Sequence, residues 1–115
     1  MAISKRGIYE NPTKSPWNLE RYESDLERRM MDRLVRDPTV AKLMKRHDVT
    51  IHWVDRQGRM RRYKPDFLVE YTDGRIAVIE VKDPSRVDSE DVKRKRSAAE
   101  IWCKKRGIEY STFTV

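Results

Sequence analysis

The sequence predicts an α/β (α+β) domain in which a mixed sheet is flanked by helices. Three observations carry this prediction: an amphipathic helical pattern near each end of the chain, three strand patterns between them, and a β-rich segment after the second helical pattern. Helices on both sides of a run of strands are typical of a sheet that is covered on both faces. A chain of 115 residues suffices for one such core.

The first segment, residues 1–17, is predicted to be a flexible basic arm. It contains Lys5, Arg6 and Lys14 together with two prolines and few apolar side chains. Such a composition supplies too little apolar surface for stable packing. Residues 18–115 are therefore assigned to the folded domain.

Helical spacing of apolar residues predicts a first helix over about residues 18–36. The apolar positions are Leu19, Tyr22, Leu26, Met30 and Leu34. Asp37 and Pro38 end this helix, and the same pair is a favourable N-cap and first position for a short second helix. The inward side of that second helix carries Val40, Leu43 and Met44.

Three antiparallel strands are predicted after these helices. The first covers residues 49–54, where apolar and polar side chains alternate, and Gln57-Gly58 forms the turn that follows it. The second covers residues 60–71, and the third covers residues 75–82. Both central strands are apolar on both faces, which predicts a hairpin between two helical layers.

The last part of the chain is predicted to be a helix followed by a strand. Asp88 or Ser89 begins the helix, which runs to about Arg106, and Gly107 ends it. Residues 108–115 alternate and are β-rich, so they are predicted to add a strand parallel to its predecessor through the crossover helix.

Composition favours an intracellular protein with a polyanionic partner. The net charge is +7 and the sequence pI is near 9.7, which favours nucleic acid but is also compatible with a basic protein that has no such partner. Cys103 is the only cysteine, so a disulfide within the chain and a cysteine-based zinc site are excluded. No signal-peptide or membrane-span pattern occurs, and a cytoplasmic location without membrane association is expected.

The most specific pattern joins Pro65-Asp66 to Glu80 across a turn at residues 72–74. If Asp73-Gly74 formed a two-residue turn, Asp66 and Glu80 would lie on opposite faces of the hairpin. A three-residue loop with Gly74 in the left-handed conformation places the two carboxylates opposite each other instead. We predict this second register.

Two facing carboxylates repel each other and lose hydration, and a divalent cation removes that cost. Mg²⁺ prefers oxygen ligands and is typically held by one or two carboxylates with water and phosphate, so Asp66 and Glu80 predict a Mg²⁺ site in which Mn²⁺ also binds. Lys82 shares the strand face of Glu80. These residue types in this arrangement are typical of phosphodiester hydrolysis.

With these residues the chain resembles the PD-(D/E)xK nuclease superfamily and, within it, the TnsA-like endonuclease domain. The likeness covers about residues 22–114 and implies a restriction-endonuclease-like core. Its marks are Glu23-Ser24-Asp25-Leu26-Glu27-Arg28, Arg62-Tyr63-Lys64-Pro65-Asp66-Phe67-Leu68-Val69, Ile79-Glu80-Val81-Lys82, residues 98–103 and Gly107-Ile108.

The resemblance implies catalytic roles for Glu27, Asp66, Glu80 and Lys82. Asp66, Glu80, the backbone carbonyl of Val81 and, less securely, Glu27 would hold the metal, while Lys82 would orient the attacking water or stabilise the phosphorus centre. An alternative for Glu27 is a capping box with Ser24, which fails if the helix begins well before Ser24. The implied products carry 5′-phosphate and 3′-hydroxyl groups.

Two basic clusters are candidates for DNA binding, although each is equally compatible with a solvated charged face. They are Arg59, Arg61, Arg62 and Lys64 before Asp66, and Lys93, Arg94, Lys95 and Arg96 on the last helix. The resemblance places Lys95 nearest the active site. His47 and His52 are interpreted as ordinary packing or surface histidines.

The favoured function is a Mg²⁺-dependent DNA endonuclease of phage or mobile-element origin. Its Gly-x-x-Arg-Arg-Tyr segment, residues 58–63, is also similar to that of phage head-completion nucleases. TnsA itself has a further C-terminal domain, and because this chain ends at Val115 a transposition role is less expected. The alternatives are a Holliday-junction-type resolvase and a non-catalytic DNA-binding or phage structural protein. Expected partners are DNA, a second copy of the chain, and phage or transposition machinery.

Overall fold

The computed structural model describes residues 7–10, 14, 19–45, 47–82 and 89–114. Within these residues the chain forms two helices and eight strands: β1 (Gly7–Glu10), β2 (Leu19–Tyr22), α1 (Asp25–Arg36), β3 (Val40–Met44), β4 (Ile51–Val54), β5 (Met60–Tyr63), β6 (Phe67–Tyr71), β7 (Ile76–Lys82), α2 (Glu90–Arg106) and β8 (Glu109–Thr114). Neither helix is long and apolar enough to cross a membrane.

The central sheet has four strands in the order β3-β6-β7-β8. β6 pairs antiparallel with both β3 and β7, whereas β8 runs parallel to β7. A parallel neighbour requires a crossover connection, and α2 lies in that connection. The predicted mixed sheet with flanking helices and a final parallel strand is therefore confirmed.

The turn between β6 and β7 is the predicted three-residue loop. The Tyr71 amide donates to the Arg75 carbonyl at 2.8 Å, and the Gly74 amide donates to the Tyr71 carbonyl at 3.0 Å. Gly74 has φ of 90°, a value at which a side chain would be strained. Glycine at this position therefore avoids that strain.

The loop sets the register of the two central strands. Phe67 pairs with Ile79, so the next step of the ladder places Asp66 opposite Glu80. The register predicted from the turn residues is confirmed.

Each face of the central sheet carries its own core. One face packs against α1 in a cluster formed by Met30, Met31, Leu34, Val40, Leu43, Phe67, Val69, Ala77 and Ile79. The opposite face lies toward α2 and a separate pair of strands, where Ile51, Tyr63 and Ala99 form a second cluster. The hairpin β6–β7 therefore lies between two layers, as its apolar faces predict.

The separate pair consists of β4 and β5, which form a two-stranded antiparallel sheet that we call the ribbon. Its register runs from Ile51 opposite Tyr63 to Val54 opposite Met60. The prediction of one continuous strand over residues 60–71 is wrong, because the chain leaves the ribbon at Lys64-Pro65 and enters the central sheet only at β6. Proline lacks an amide donor and cannot continue a ladder.

The predicted second helix is also wrong, since Val40–Met44 is the edge strand β3. The register of β3 on β6 shifts between Val40 and Lys42. This irregularity places two buried residues, Val40 and Leu43, three positions apart. A bulged strand thus buries residues three positions apart, which is the same spacing of buried residues that one turn of a helix gives.

The first helix begins later than predicted. α1 starts at Asp25, and the Ser24 hydroxyl caps it by accepting from the Glu27 amide at 3.2 Å. Residues 19–22 instead form β2, which pairs with β1. The side chain of Lys14 donates to the Leu34 carbonyl at 3.2 Å at the other end of α1. Apart from β1 and Lys14, the predicted arm lies outside the described residues, and the division at residue 17 stays a prediction.

The predictions for the last part of the chain are confirmed. α2 begins after Ser89, whose hydroxyl accepts from the Val92 amide at 3.1 Å, and ends at Gly107, where φ is 67°. β8 follows and pairs in parallel with β7.

Candidate active site

The candidate site lies at one edge of the central sheet, where β6 begins and β7 ends. Asp66 immediately precedes β6, and its Oδ2 accepts a hydrogen bond of 2.8 Å from the Val81 amide on β7. Glu80 lies opposite it across the two strands. The two carboxylates predicted to meet are therefore neighbours, and one of them is oriented by the backbone of the other strand.

His47 holds the backbone of Pro65, the residue before Asp66, in place. The Nε2 atom of His47 lies 2.8 Å from the buried Pro65 carbonyl oxygen, while Nδ1 accepts from the Val49 amide at 3.1 Å. Because Nδ1 accepts, the ring proton belongs on Nε2, which donates to Pro65. Burial lowers the pKa of His47 and favours this neutral form. His47 is thus a packing histidine and His52 an exposed one, as predicted.

On its other side, Glu80 contacts the ribbon. The Tyr63 hydroxyl donates to Glu80 Oε2, and the Lys95 ammonium lies 4.7 Å from the centroid of the Tyr63 ring. Burial and the adjacent Glu80 charge raise the pKa of Tyr63, so the phenol stays protonated and acts as a donor. Burial raises the pKa of Tyr110, which also hydrogen-bonds Tyr63, to about 12. Tyr63 therefore supports Glu80 directly, and the half-buried Tyr110 supports Tyr63.

The pKa values of Glu80 and Asp66 are both raised, as expected for two partly buried carboxylates that lie close together. Burial, followed by the charge of Asp66, raises the pKa of Glu80 to about 7. Burial also raises the pKa of Asp66, and the charge of Glu27 adds to this effect, whereas the Val81 amide and Lys45 oppose it. Without a cation the site therefore favours carrying at least one proton.

Glu27 approaches the site from the first turn of α1. Its Oε1 lies 2.5 Å from the Lys45 ammonium, and both side chains are largely buried, at 12% and 18% exposure. The same oxygen accepts from the Glu23 amide at 3.1 Å. Because α1 begins at Asp25, Ser24 is its N-cap and the condition under which the capping box would fail does not hold, but Glu27 accepts from the Glu23 amide instead of the Ser24 amide, so the box is only half formed. The metal role of Glu27 stays a prediction.

Val81 and Lys82 complete the predicted set. Both are half-buried at the end of β7. Lys82 is two residues beyond Glu80, which places both on one face of the strand. The structure thus brings Asp66, Glu80, Val81 and Lys82 to one edge of the sheet, with Glu27 near enough to influence Asp66 electrostatically.

The donor set fits a hard divalent cation. Within the part of the chain that the structure describes, no three or more His, Cys, Asp or Glu residues form a group that would hold a metal. Structural zinc sites need four such ligands, so this pair is unsuited to them. Mg²⁺ usually retains several waters and takes only one or two protein carboxylates, which Asp66 and Glu80 supply.

The first basic cluster divides into two parts. Arg59 and Arg61 each form an ion pair of 3.2 Å with Asp55, whose side chain is only 1% exposed. Arg62 and Lys64 are exposed and have no ion-pair partner among the described residues.

The second basic cluster divides in the same way. Lys93 is exposed, and Arg94 pairs with Glu90 at 3.1 Å. Lys95 and Arg96 are half-buried, with Lys95 over the Tyr63 ring. In each predicted cluster, part of the positive charge is therefore already paired or packed.

Sequence reasoning missed three supporting side chains. Tyr63 was visible as part of the segment before Pro65, but its contact with Glu80 depends on how the ribbon folds back. Lys45 follows directly after the residues that were predicted as a second helix and instead form β3. Asp55 precedes the Gln57-Gly58 turn, and an aspartate in that position is a recognised signal for a side chain that caps turn amides.

A family model described as the TnsA-like endonuclease N-terminal domain matches residues 37–115, which is more than half of the chain. The matched segment contains Asp66, Glu80, Val81 and Lys82, while Glu27 precedes it. No curated protein matches the chain. The match agrees with the mixed sheet and with the paired carboxylates at its edge. The chain therefore belongs to the TnsA-like endonuclease N-terminal family, a group of PD-(D/E)xK-type nuclease domains.

Proposed function

We propose that the chain is a Mg²⁺-dependent DNA endonuclease, with Mn²⁺ able to substitute. The observation that carries this proposal is the placement of Asp66 opposite Glu80, where burial raises the pKa of both carboxyls and the charge of Asp66 raises the pKa of Glu80 further. Such a costly pair is typical of a functional site rather than of a core. Family membership supplies the class of reaction, and the geometry supplies the residues.

The residues that would hold the cation are Asp66, Glu80 and the Val81 carbonyl, with Glu27 as a further candidate. The Val81 amide points to Asp66, and in a paired strand the N–H and C=O of one residue share a side, which supports a role for its carbonyl. A bound divalent cation would neutralise negative charge that develops on the phosphate and make water a stronger nucleophile.

The protein's own contribution is to hold these groups in place. The Val81 amide binds one oxygen of Asp66, and the Tyr63 hydroxyl binds one oxygen of Glu80, so both acids are held in a fixed orientation. Lys82, by resemblance to the family, orients the attacking water or stabilises the charge on phosphorus. Hydrolysis by this route gives 5′-phosphate and 3′-hydroxyl ends.

The test is cleavage of supercoiled plasmid, linear duplex and four-way-junction DNA with Mg²⁺ or Mn²⁺. Asp66→Asn and Glu80→Gln should each lower the rate by on the order of 10³-fold, because a metal contributes several kcal/mol to the transition state. Glu100→Gln, which removes an exposed carboxylate of α2, is the matched control and should cut normally.

Three outcomes separate the alternatives. Cutting of plasmid and linear duplex that Asp66→Asn abolishes supports the endonuclease, whereas cutting confined to the junction favours a resolvase. Tight DNA binding without cutting of any substrate contradicts the proposal and favours a binding protein. A second copy of the chain, phage or transposition machinery as partners, and a cytoplasmic location stay predictions.

A further inference from the structure

The ribbon has one covered face and one open face. Ile51 and Tyr63 point inward, where they pack with Ala99 of α2. Because successive strand residues point to opposite faces, Val54 and Met60 lie on the outer face, directly opposite each other. Met60 is 72% exposed and Val54 is 45% exposed. The outer face thus presents an apolar cross-strand pair to solvent.

The end of the ribbon is held rigid by Asp55. Its buried carboxylate accepts hydrogen bonds from the Gln57 and Arg59 amides at 2.9 and 3.0 Å, in addition to the two arginine contacts. The Arg56 amide binds the Asp91 carboxylate of α2 at 2.9 Å. A loop tied at both its amides and its side chains presents the outer face in one geometry, which reduces the entropic cost of binding.

The surroundings of the apolar pair are basic. His52 and Arg62 form the next cross-strand pair on the same face, and Lys64 continues it beyond the end of β5. All three are exposed. The charges of Arg62 and Lys64, which are not neutralised within the described residues, therefore border Val54 and Met60, and a polyanion complements this combination.

The ribbon also lies close to the candidate site. Tyr63 at its base contacts Glu80, and the three residues from Tyr63 to Asp66 span at most about 11 Å. Each ribbon strand has four residues and is about 13 Å long. The major groove of B-DNA is about 12 Å wide and admits a two-stranded ribbon.

We propose that the outer face of the ribbon enters the major groove of duplex DNA beside the cleaved phosphate. Val54 and Met60 contact thymine methyl groups, while Arg62 and Lys64 bind base edges or phosphates. The ribbon then biases the positions at which the chain cuts. This inference rests on the proposed function because it takes duplex DNA as the substrate.

The test measures binding separately from cleavage. The Asp66→Asn chain, which is expected not to cut, is titrated with a mixed-sequence duplex and with the same duplex in which uracil replaces thymine. Uracil lacks the methyl group that thymine presents in the major groove. The uracil duplex should bind about three- to tenfold more weakly, because each buried methyl group contributes about fourfold.

Substitutions on the ribbon should remove this difference. With Val54→Ala and Met60→Ala added, the thymine duplex should bind as weakly as the uracil duplex. Ile101→Ala is the matched control, since Ile101 is an apolar residue of α2 that is 56% exposed. This control should keep the full preference for thymine. On cleavage-competent protein, the Val54 and Met60 substitutions should also spread the cut positions along a linear duplex.

Two results would overturn the inference. One is equal binding of both duplexes by the unsubstituted ribbon. The other is a change only in self-association, measured by sedimentation, which would make a second copy of the chain the occupant of this face. A chain that cuts DNA but shows either result retains the proposed function. A chain that shows methyl-dependent binding but never cuts supports the ribbon contact and contradicts the proposed endonuclease.

Discussion

The hairpin β6–β7 and the ribbon are both antiparallel strand pairs, but they differ in how many of their faces are covered. Phe67 and Ile79 of the hairpin are buried on the side of α1, and Val78 is buried on the other side. The ribbon buries Ile51 but exposes Met60. A pair of strands that is covered on both faces can hold two like charges at a fixed separation. A pair of strands with one open face can bind a large partner on that face. The carboxylates lie on the first kind, and the proposed DNA contact lies on the second.

The largest expected difference between the two pairs is in the cost of truncating a side chain. Phe67→Ala should lower the free energy of unfolding by about 3–5 kcal/mol, because it leaves a cavity between the sheet and α1. Met60→Ala should change it by less than about 0.5 kcal/mol, because that side chain is exposed. Urea unfolding measures both. Similar losses would show that the outer face of the ribbon is covered in solution.

A second expected difference is the dependence of stability on pH. The pKa of Glu80 is about 7 in the folded chain and 4.5 in the reference state, so folding favours its protonated form. Its contribution is fully present below about pH 4.5 and is lost as the pH rises through 7, by on the order of 3 kcal/mol in metal-free buffer. Thermal unfolding between pH 4.5 and 8 measures this loss.

Glu80→Gln is the control for that titration. The variant cannot ionise at this position, so its stability should fall less over the same pH range. Addition of Mg²⁺ to the unsubstituted chain should likewise reduce the fall. A pH profile that Glu80→Gln leaves unchanged would assign the titration to another group.

A third, smaller difference lies in the two turns. Asp55 in the ribbon and Asp73 in the hairpin each accept the amide two residues later, from Gln57 and Arg75. The Asp55 side chain is 1% exposed and the Asp73 side chain is 56% exposed. Asp55→Asn should therefore cost about 1–3 kcal/mol of unfolding free energy, whereas Asp73→Asn should cost clearly less. Equal costs in urea unfolding would show that burial of Asp55 is not what stabilises the ribbon.

The smallest expected effect concerns the arginines of the ribbon. Arg62→Ala should reduce the slope of log affinity for DNA against log salt concentration by about 1, because one phosphate contact is lost. Arg61→Ala should change this slope less, because Asp55 already pairs with Arg61. Fluorescence anisotropy at several salt concentrations measures both. Identical slopes for the two variants would contradict the division of this cluster into paired and available charges.

The central hairpin could be predicted because its determinants are local. The turn residues Thr72, Asp73 and Gly74 lie within the hairpin itself, and whether the loop has two residues or three decides the register of the strands that flank it. β3 could not be predicted, because the irregularity at Val40 and Lys42 depends on the neighbouring strand. β2 could not be predicted for a similar reason, because its apolar residues continue the helical spacing of the apolar residues in α1.

The same distinction applies to the candidate site. Asp66, Glu80 and Lys82 were predicted because two adjacent strands and one turn bring them together. The Tyr63 contact with Glu80 and the Lys45 contact with Glu27 join parts of the chain that are 17 and 18 residues apart and belong to different layers. Patterns of alternation report which face a residue occupies but not which layer packs over it.

The bond from the Val81 amide to Asp66 Oδ2 makes this carboxylate the last rung of the ladder between β6 and β7. A side-chain oxygen stands where the next backbone acceptor would otherwise be, so folding of the hairpin selects the rotamer of the acid. An arriving cation would then meet a side chain that is already immobilised, and little side-chain entropy would be lost on binding. In this chain, closing the sheet and orienting the proposed metal ligand are one event.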